Sequence, residues 1–443
     1  MPIRSEAEAA AWLEGLIHVE KRPDWPYRRL GLDPVRRLLA RLGDPHDGLR
    51  IVHVAGSKGK GSTVLCCEAL LAAAGRRVGT FTSPHLEQWT ERFRIDGREV
   101  PGARLAAAVE EIRPHVESLR AEDPERAPTF FDATTAAALL LFRDAGVDAA
   151  VLEVGLGGRL DSTNVVAPAV TCITQIELEH TDRLGSTLAA IAGEKAGILK
   201  PGVPLVAGDL APEAREVVGA RAAELGVPVT WLGREFRVRI VGRDEDGLRV
   251  RIEDGPLRVE ARLPVLGDHQ AGNAALALAC AARSGIASIG ELAAAASRGL
   301  AGVRLPGRAE LVGRRPWLLV DSAHTPASAG ALARTLVEIP SRRTHLVLSI
   351  SADKDVRGLL DALLPLAHSV CLTRAEPARS LDPAAIAAVV RAAAPDLPVS
   401  VVPNPHLAVR AAAGALAEDE LLCATGSVYL AGIARRVLRD AKP

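Results

Sequence analysis

Eight consecutive residues, Gly56-Ser57-Lys58-Gly59-Lys60-Gly61-Ser62-Thr63, have the make-up of a phosphate-binding loop. Glycines permit a tight loop, and successive backbone N–H groups can wrap a phosphate where a helix begins. Lys60 has the reach to meet β- and γ-phosphate oxygens, and the Ser62 hydroxyl falls beside any Mg²⁺ bound there. The spacing, GxxGKGS, is shorter than the GxxxxGK[ST] of common P-loops, so a structural glycine turn is disfavoured by context rather than by the match alone. Three further clusters carry reactive side chains: Ser83-Pro84-His85-Leu86, the run from Glu153 to Asp161 (EVGLGGRLD), and Glu179-His180-Thr181. They offer a hydroxyl, a carboxylate and an imidazole. Mg²⁺ prefers oxygen ligands, so a histidine among them is unusual and leaves Mn²⁺ open as the ion. Singly, a strand-end Ser reads as a cap, and a lone Glu or His as a surface residue. Their placement relative to one another is what makes them a site.

That placement follows from the pattern of elements. IVHVAG (51–56), VGTFTS (78–83), AAVLEVG (149–155), AVTCITQI (169–176) and PLVAGD (204–209) are short apolar runs that predict strands, separated by helical segments such as Ser62–Ala74 and Ala133–Asp144. Continuous apolar strands between helices imply a mostly parallel sheet covered on both faces. Each reactive cluster directly follows one of these strands, and ligands in open α/β sheets bind outside the carboxyl ends of the strands. Residues 234–263 change texture, alternating apolar and charged positions with Asp/Gly turns, which predicts a small antiparallel sheet at the edge of the first domain. After LPGR (305–308) the alternation restarts, with strands expected at 317–323, 344–351, 369–374, 398–403 and 420–427. The expected organisation is α/β throughout: a P-loop-type domain over 1–301, a hinge at 302–307, and a Rossmann-like α/β domain over 308–443.

Composition narrows the partners. The 443 residues carry 54 Lys and Arg against 54 Asp and Glu, so a generic nucleic-acid binder or a polybasic membrane binder is not expected. No apolar run approaches the roughly 20 residues needed to span a bilayer. The opening MPIRSEAEAAAWLEGL lacks the hydrophobic core of a secretory signal. Six cysteines (66, 67, 172, 280, 371 and 423) form no CxxC and fit reduced thiols in a cytoplasmic protein. Aromatics are only 3% of the chain, so the cores must be built from Ala, Leu, Val and Ile.

With these motifs in place, the chain resembles the folylpolyglutamate synthase/dihydrofolate synthase group of Mur-type ligases. The likeness runs through HVAGSKGKGST (53–63), TSPHLEQWTERFRIDG (82–97), LEVGLGGRLDSTN (152–164), EHTDRLGSTLAAIAGEKAGILKPG (179–202), HQAGNAALA (269–277), LPGR (305–308), DSAHTP (321–326), DKD (353–355) and GSVYLAG (426–432), in that order. It implies the architecture just described and an acid–amino-acid ligase joining glutamate to dihydropteroate or a reduced folate with ATP and Mg²⁺. It implies Ser83, Glu153 and His180 as metal ligands, and Gly56, Ser57, Lys58, Gly59, Lys60, Gly61 and Ser62 with Asn273, Arg308 and Asp321 around ATP. Lys195, in GEKAGI, matches a lysine that is carbamylated in the family. Lys60, Lys195 and His180 are the implied catalytic set. The pterin site would draw on Gly15, Leu16, Ile17 and His18, on Thr129, Phe130, Phe131 and Asp132, and on Leu160, Asp161 and Ser162. A monomer is expected.

Four departures from the family pattern stand out. Asp132 replaces a more usual Glu, Glu179 an Asp, DSAHTP a more common DGAHNP, and about six extra residues lie within 20–29. His324, in DSAHTP, is open to two readings, a satisfied loop histidine or a participant in the cleft between domains. The chemistry implied is activation of a carboxylate. Hydroxide is a poor leaving group, so the γ-phosphoryl group is transferred to form an acyl phosphate, which the glutamate amine attacks. Residues of both domains around one ATP would require closure that excludes water. Two rival readings remain at this level: a Mur-type ligase for a non-folate carboxylate, and a nucleotide-binding protein without ligase activity.

Overall fold

The computed structural model describes residues 2–17 and 31–440. The chain folds as two compact units, one formed by Met1–Gly242, Arg249–Leu263 and Ala271–Val303, the other by Arg243–Leu248, Pro264–Gln270 and Arg304–Pro443.

The first unit is built on an eight-stranded sheet. Its strands are β1 (Arg50–Ala55), β2 (Val78–Phe81), β3 (Phe93–Ile95), β4 (Arg98–Glu99), β5 (Ala149–Glu153), β6 (Val170–Ile173), β7 (Leu205–Ala207) and β8 (Val229–Trp231). They lie in the order β4-β3-β2-β5-β1-β6-β7-β8. The six from β2 to β8 pair in parallel, and β3 and β4 add an antiparallel edge. β1 sits in the middle, and every residue from Ile51 to Ala55 is buried, His53 included. Parallel strands need crossovers, and helices supply them on both faces. One of these, Phe130–Ala145, is buried along most of its length. It approaches so closely that a Cβ on Gly79 of β2 would stand 2.5 Å from the Phe142 ring. The edge strands β3, β4 and β8 are two or three residues long, below the length at which a sequence pattern declares itself.

The alternating stretch forms its own sheet: β9 (Phe236–Asp244), β10 (Gly247–Asp254) and β11 (Leu257–Leu263), in the order β11-β10-β9. Leu257, Val259, Ala261 and Leu263 of β11 are buried, with exposed Arg and Glu between them, as the two-residue pleat demands. Asp254 anchors this sheet to the helix His269–Ser284 through paired bonds from Arg283, Nη1 to Oδ2 at 2.6 Å and Nη2 to Oδ1 at 2.7 Å.

The second unit contains a six-stranded sheet of β12 (Glu310–Arg314), β13 (Trp317–Val320), β14 (Thr344–Leu348), β15 (Ala367–Leu372), β16 (Val399–Val401) and β17 (Leu421–Thr425). Its order is β12-β13-β17-β14-β15-β16, parallel except for β12 against β13. The five expected strands here correspond to β13 to β17, whereas β12, in ELVGR, is an addition. Five cysteines are buried and Cys371 is half-buried, all as free thiols. Among the described residues no helix is long and apolar enough to cross a membrane.

Candidate active site

β1 runs into the glycine-rich loop and the helix Lys60–Ala73 follows. Two glycines are required here by what surrounds them. Gly56 has φ +149°, and a Cβ on it would collide with Thr174 Oγ1; Gly59 has φ +85°, and a Cβ on it would collide with Asn273 Oδ1. The loop is therefore moulded by neighbours distant in sequence. The Thr174 hydroxyl donates to Lys58 O (2.6 Å), Ser57 N donates to Gln175 O (2.6 Å), and Glu177 N donates to Ser57 Oγ (3.0 Å). The Lys60 ammonium rests on the loop's own carbonyls, 2.9 Å from Gly56 O and 3.4 Å from Ser57 O. Ser62 is buried in the first turn of the helix. Asn273, which the family resemblance implies at ATP, lies against the loop at Gly59.

Beside the loop is a dense charge cluster. Lys195, on the helix Leu188–Ala196, is only 2% exposed, and its Nζ donates to Glu179 Oε1 at 3.2 Å. Lys58 Nζ stands 3.5 Å from the other oxygen of Glu179. Burial, reinforced by the charge of Lys60, lowers the Lys195 amine to about 8 despite Glu179. Burial would raise the Glu179 carboxyl, but Lys60, Lys195, Lys58 and His180 outweigh it and hold it at about 2. Glu177 is pushed up, first by burial and further by Glu179, against the pull of Lys58. A Lys195 amine held near 8 has an accessible neutral form, the form that reacts with CO₂, and Lys58 and Lys60 supply positive charge for the resulting anion. The surroundings thus fit a carbamate on Lys195, with the negative charge of Glu179 opposing it.

Of the three expected metal ligands, two are brought together. Ser83 N donates to Glu153 Oε2 at 3.0 Å, and that carboxylate, 5% exposed, lies 3.4 Å from where a Cβ of Gly61 would be. A carboxylate at the first turn of a helix is favoured by the partial positive charge there. A serine hydroxyl and a carboxylate beside a phosphate loop fit a hard divalent cation. His180 is exposed, has φ +48°, and precedes the short helix Thr181–Leu184; its charge is felt by Glu179. No group of three or more His, Cys, Asp or Glu stands at metal-binding separation among the described residues.

A cavity of about 400 Å³ opens next to this cluster, within the first unit. Thr129, Phe130, Phe131 and Asp132 line one side, and Gly155, Leu156, Leu160, Asp161 and Ser162 another. Phe131 lies 5.9 Å from Phe81 between ring centroids, and Trp89 meets Phe130 edge-on at 5.6 Å. Gly155 is glycine because a Cβ there would collide with the Phe131 ring. Asp132 closes a capping box with Thr129, its Oδ2 accepting from Thr129 N (2.8 Å), while its Oδ1 accepts from Ser162 Oγ (2.7 Å). Burial raises its carboxyl, partly offset by the Ser162 and Thr129 bonds. Ser83 lines the cavity too, so the Ser83–Glu153 pair and the cavity share a wall.

Not every expected residue joins the cavity. Gly15 ends the helix Glu6–Gly15, Leu16 is buried as its cap, and Ile17 packs on the adjoining core; none is among the described lining. His18 and the segment 20–29 lie outside the described residues. Three arginines that sequence reasoning passed over, Arg92, Arg126 and Arg183, do line it. Arg92 stacks over Trp89 at 4.8 Å and donates from Nε to His85 Nδ1 at 2.9 Å. The run WTERF, an arginine among aromatics, was the available signal for it.

In the second unit, Asp321 accepts from Ala309 N and Ala323 N, both at 2.7 Å, and burial raises its carboxyl against these bonds and Arg308. This holds the LPGR turn to the strand end that carries Asp321. His324 donates from Nδ1 to Ser322 O at 2.8 Å.

Comparison with known proteins gives these features a family context. Residues 54–281 match the Mur ligase middle domain, and residues 307–428 the Mur ligase glutamate ligase domain. The dihydrofolate synthase/folylpolyglutamate synthase of Mycobacterium tuberculosis is 38% identical over 395 residues, covering 85% of this chain and 81% of that protein. A probable bifunctional folylpolyglutamate synthase/dihydropteroate synthase of Halobacterium salinarum is 39% identical over 431 residues; they are 97% of this chain but 51% of that one, so the chain spans about half the length of this longer relative. The solved structure of Escherichia coli FolC in complex with DHPP and ADP superposes with a TM-score of 0.85 at 30% identity, covering 98% of both chains.

Proposed function

Because the chain belongs to the folylpolyglutamate synthase/dihydrofolate synthase family of Mur-type ligases, we propose that it joins L-glutamate to dihydropteroate, to a reduced folate, or to both, at the expense of ATP. The observation that carries this reading is the shared wall: the cavity for an aromatic acceptor begins at Ser83, whose backbone is bonded to Glu153 beside the phosphate loop. An acceptor seated against Phe130 and Phe131 would present its carboxylate toward the loop.

The steps follow from the groups present. The loop amides and Lys60 hold the β- and γ-phosphates, Lys60 exchanging the Gly56 and Ser57 carbonyls for phosphate oxygens. Ser83, Glu153 and His180 would hold Mg²⁺, which neutralises charge on the transferring phosphoryl group. Transfer to the acceptor carboxylate converts a hydroxide-like leaving group into phosphate. The glutamate amine then attacks the acyl carbon, the C–O bond to phosphate breaks, and an amide remains. Asp132 and the rings of Phe130 and Phe131 orient the pterin, and Asp161 and Ser162 fix the loop opposite. Asn273 supports the loop at Gly59. Arg308 and Asp321 belong to the nucleotide-contacting set on the family pattern. We place the enzyme in the cytoplasm, consistent with six free thiols, and expect a monomer.

The test is an assay of purified enzyme with ATP, glutamate and either dihydropteroate or a reduced folate, read by ADP release and by mass spectrometry of the product. One added glutamyl residue on dihydropteroate and successive additions on folate are the expected products. ADP formation with another carboxylate but neither pterin would leave the ligase and remove the folate assignment.

A further inference from the structure

His53 is completely buried in the central strand β1, and the chemistry above makes no use of it. Its Nε2 stands 2.8 Å from Thr163 Oγ1. The Thr163 hydroxyl has one proton, and Thr163 Oγ1 lies 2.5 Å from Asp161 Oδ1, a carboxylate oxygen that can only accept. The order of donors is therefore fixed. Thr163 donates to Asp161, so the proton between histidine and threonine comes from Nε2 of the imidazole. That tautomer leaves Nδ1 as a bare acceptor, and Nδ1 is buried with no hydrogen-bond partner among the described residues. Burial, with Lys200 nearby, lowers the ring to about 3, so it is neutral throughout the working range.

Asp161 is the hinge of the arrangement. Its Oδ1 also accepts from Thr163 N (3.1 Å), and its Oδ2 accepts from Leu156 N (2.8 Å). One carboxylate thus ties the start of the loop after β5 to its end. That loop supplies Gly155, Leu156 and Leu160 to the cavity. It also reaches the helix that carries Lys195: Asn164 Nδ2 donates to Arg159 O (3.0 Å) and to Gly197 O (3.1 Å). A valine or leucine would fill the β1 position without leaving an unpaired ring nitrogen, which costs stability when buried. What the imidazole adds is a fixed hydroxyl.

We infer that His53 is a positioning residue for the acceptor: through Thr163 it orients the Asp161 carboxylate, and Asp161 sets the loop that forms one wall of the acceptor cavity. The inference rests on the reading of that cavity as the acceptor site. It assigns to the strand under the phosphate loop a role in binding the other substrate.

The experiment measures KM for the acceptor, KM for ATP, kcat and Tm in His53→Leu, His53→Gln, Thr163→Val and Thr163→Ser, with Phe131→Ala as a direct probe of the cavity. Loss of one bond in the relay is expected to raise the acceptor KM about tenfold and to leave the ATP KM within about twofold. His53→Gln and Thr163→Ser, which keep a donor and a hydroxyl, should restore most of the loss. His53→Leu combined with Thr163→Val should be little worse than either alone, because both break one chain of bonds. If His53→Leu does not fold, the Thr163 pair carries the same comparison. Equal changes in the acceptor and ATP constants, or no rescue by glutamine and serine, would overturn the relay. An acceptor KM raised by Phe131→Ala but unmoved by the His53 and Thr163 variants would remove the relay and leave the cavity assignment. If Phe131→Ala leaves it unmoved as well, both fall.

Discussion

The phosphate loop and the acceptor cavity adjoin, yet they are assembled from opposite materials. Around the loop, Lys58, Lys60 and Lys195 crowd against Glu177 and Glu179; the Lys58, Lys195 and Glu179 groups are pulled down in pKa and Glu177 is pushed up. Around the cavity, Phe130, Phe131 and Leu160 provide the surface, and the buried Asp132 and Asp161 spend their oxygens on backbone and hydroxyl donors. The first region works by charge aimed at a group that changes during the reaction. The second works by shape and by hydrogen bonds already made before a substrate arrives. Damage to the first should therefore appear in turnover, and damage to the second in acceptor binding.

Removing charge from the loop should give the largest effect. Lys60→Ala is expected to lower kcat by roughly a few hundredfold, corresponding to about 3–4 kcal/mol of transition-state stabilisation, with an unchanged Tm. Steady-state ADP release measures it; wild-type turnover would take Lys60 out of the mechanism. Glu153→Ala and His180→Ala should each raise the Mg²⁺ concentration needed for half-maximal rate by about tenfold or more. A metal titration that is unchanged in both variants defeats the ligand assignment, and a shift in Glu153→Ala alone would leave the Ser83–Glu153 oxygen pair and dismiss the imidazole.

On the cavity side the expected effects are smaller and of a different kind. Asp132→Asn keeps one acceptor oxygen for Thr129 N and turns the other into an N–H that can donate to Ser162 Oγ, so what is lost is the negative charge and one acceptor. The acceptor KM should rise about tenfold with the ATP KM unchanged, and removing a carboxylate from the first turn of the helix should cost at most about 1 kcal/mol of stability. Calorimetry alongside kinetics separates the two. A fall in kcat at constant KM would blur the contrast between the regions.

The smallest effect is a pH dependence. The Lys195 amine is held at about 8 against an ordinary value of 10.5, so folding is penalised wherever the unfolded chain keeps this lysine protonated. The penalty is complete below about pH 8 and disappears as pH rises toward 10.5. In CO₂-free buffer the Tm of the wild type relative to Lys195→Met should therefore climb across that interval. Restoring CO₂ should raise activity near neutral pH, and a small carboxylate should partly restore the lowered activity of Lys195→Ala. A Tm difference independent of pH, with activity indifferent to CO₂, argues for a permanently charged ammonium.

What could be read from the sequence divides along the same line. The loop announced itself, because its glycines, lysine and hydroxyls are contiguous and follow an apolar strand. The alternation of Leu257, Val259, Ala261 and Leu263 likewise disclosed β11. The cavity was legible only as scattered pieces: Thr129–Asp132 and Leu160–Ser162 do meet, while Gly15–Ile17 sit at a helix end and on the core. Arg126 and Arg183 entered the lining through tertiary packing, which no local pattern records, and Arg92 left only the run WTERF as a sign. The relay from His53 to Asp161 joins residues 110 apart and then two apart, and a lone histidine in an apolar strand gives no sign of its partner.

The place of β17 bears on how the second unit comes into being. This strand, Leu421–Thr425, lies between β13 and β14, which precede it by about a hundred and about eighty residues. Until it has been synthesised, β13 and β14 each lack the neighbour that β17 provides, and those two edges have no partner. A translating chain gains roughly 5–20 residues per second, so those edges stay open for several seconds at least. The last strand acts as a keystone, and a chain stopped short of Leu421 would expose the adhesive edges that chaperones and proteases recognise.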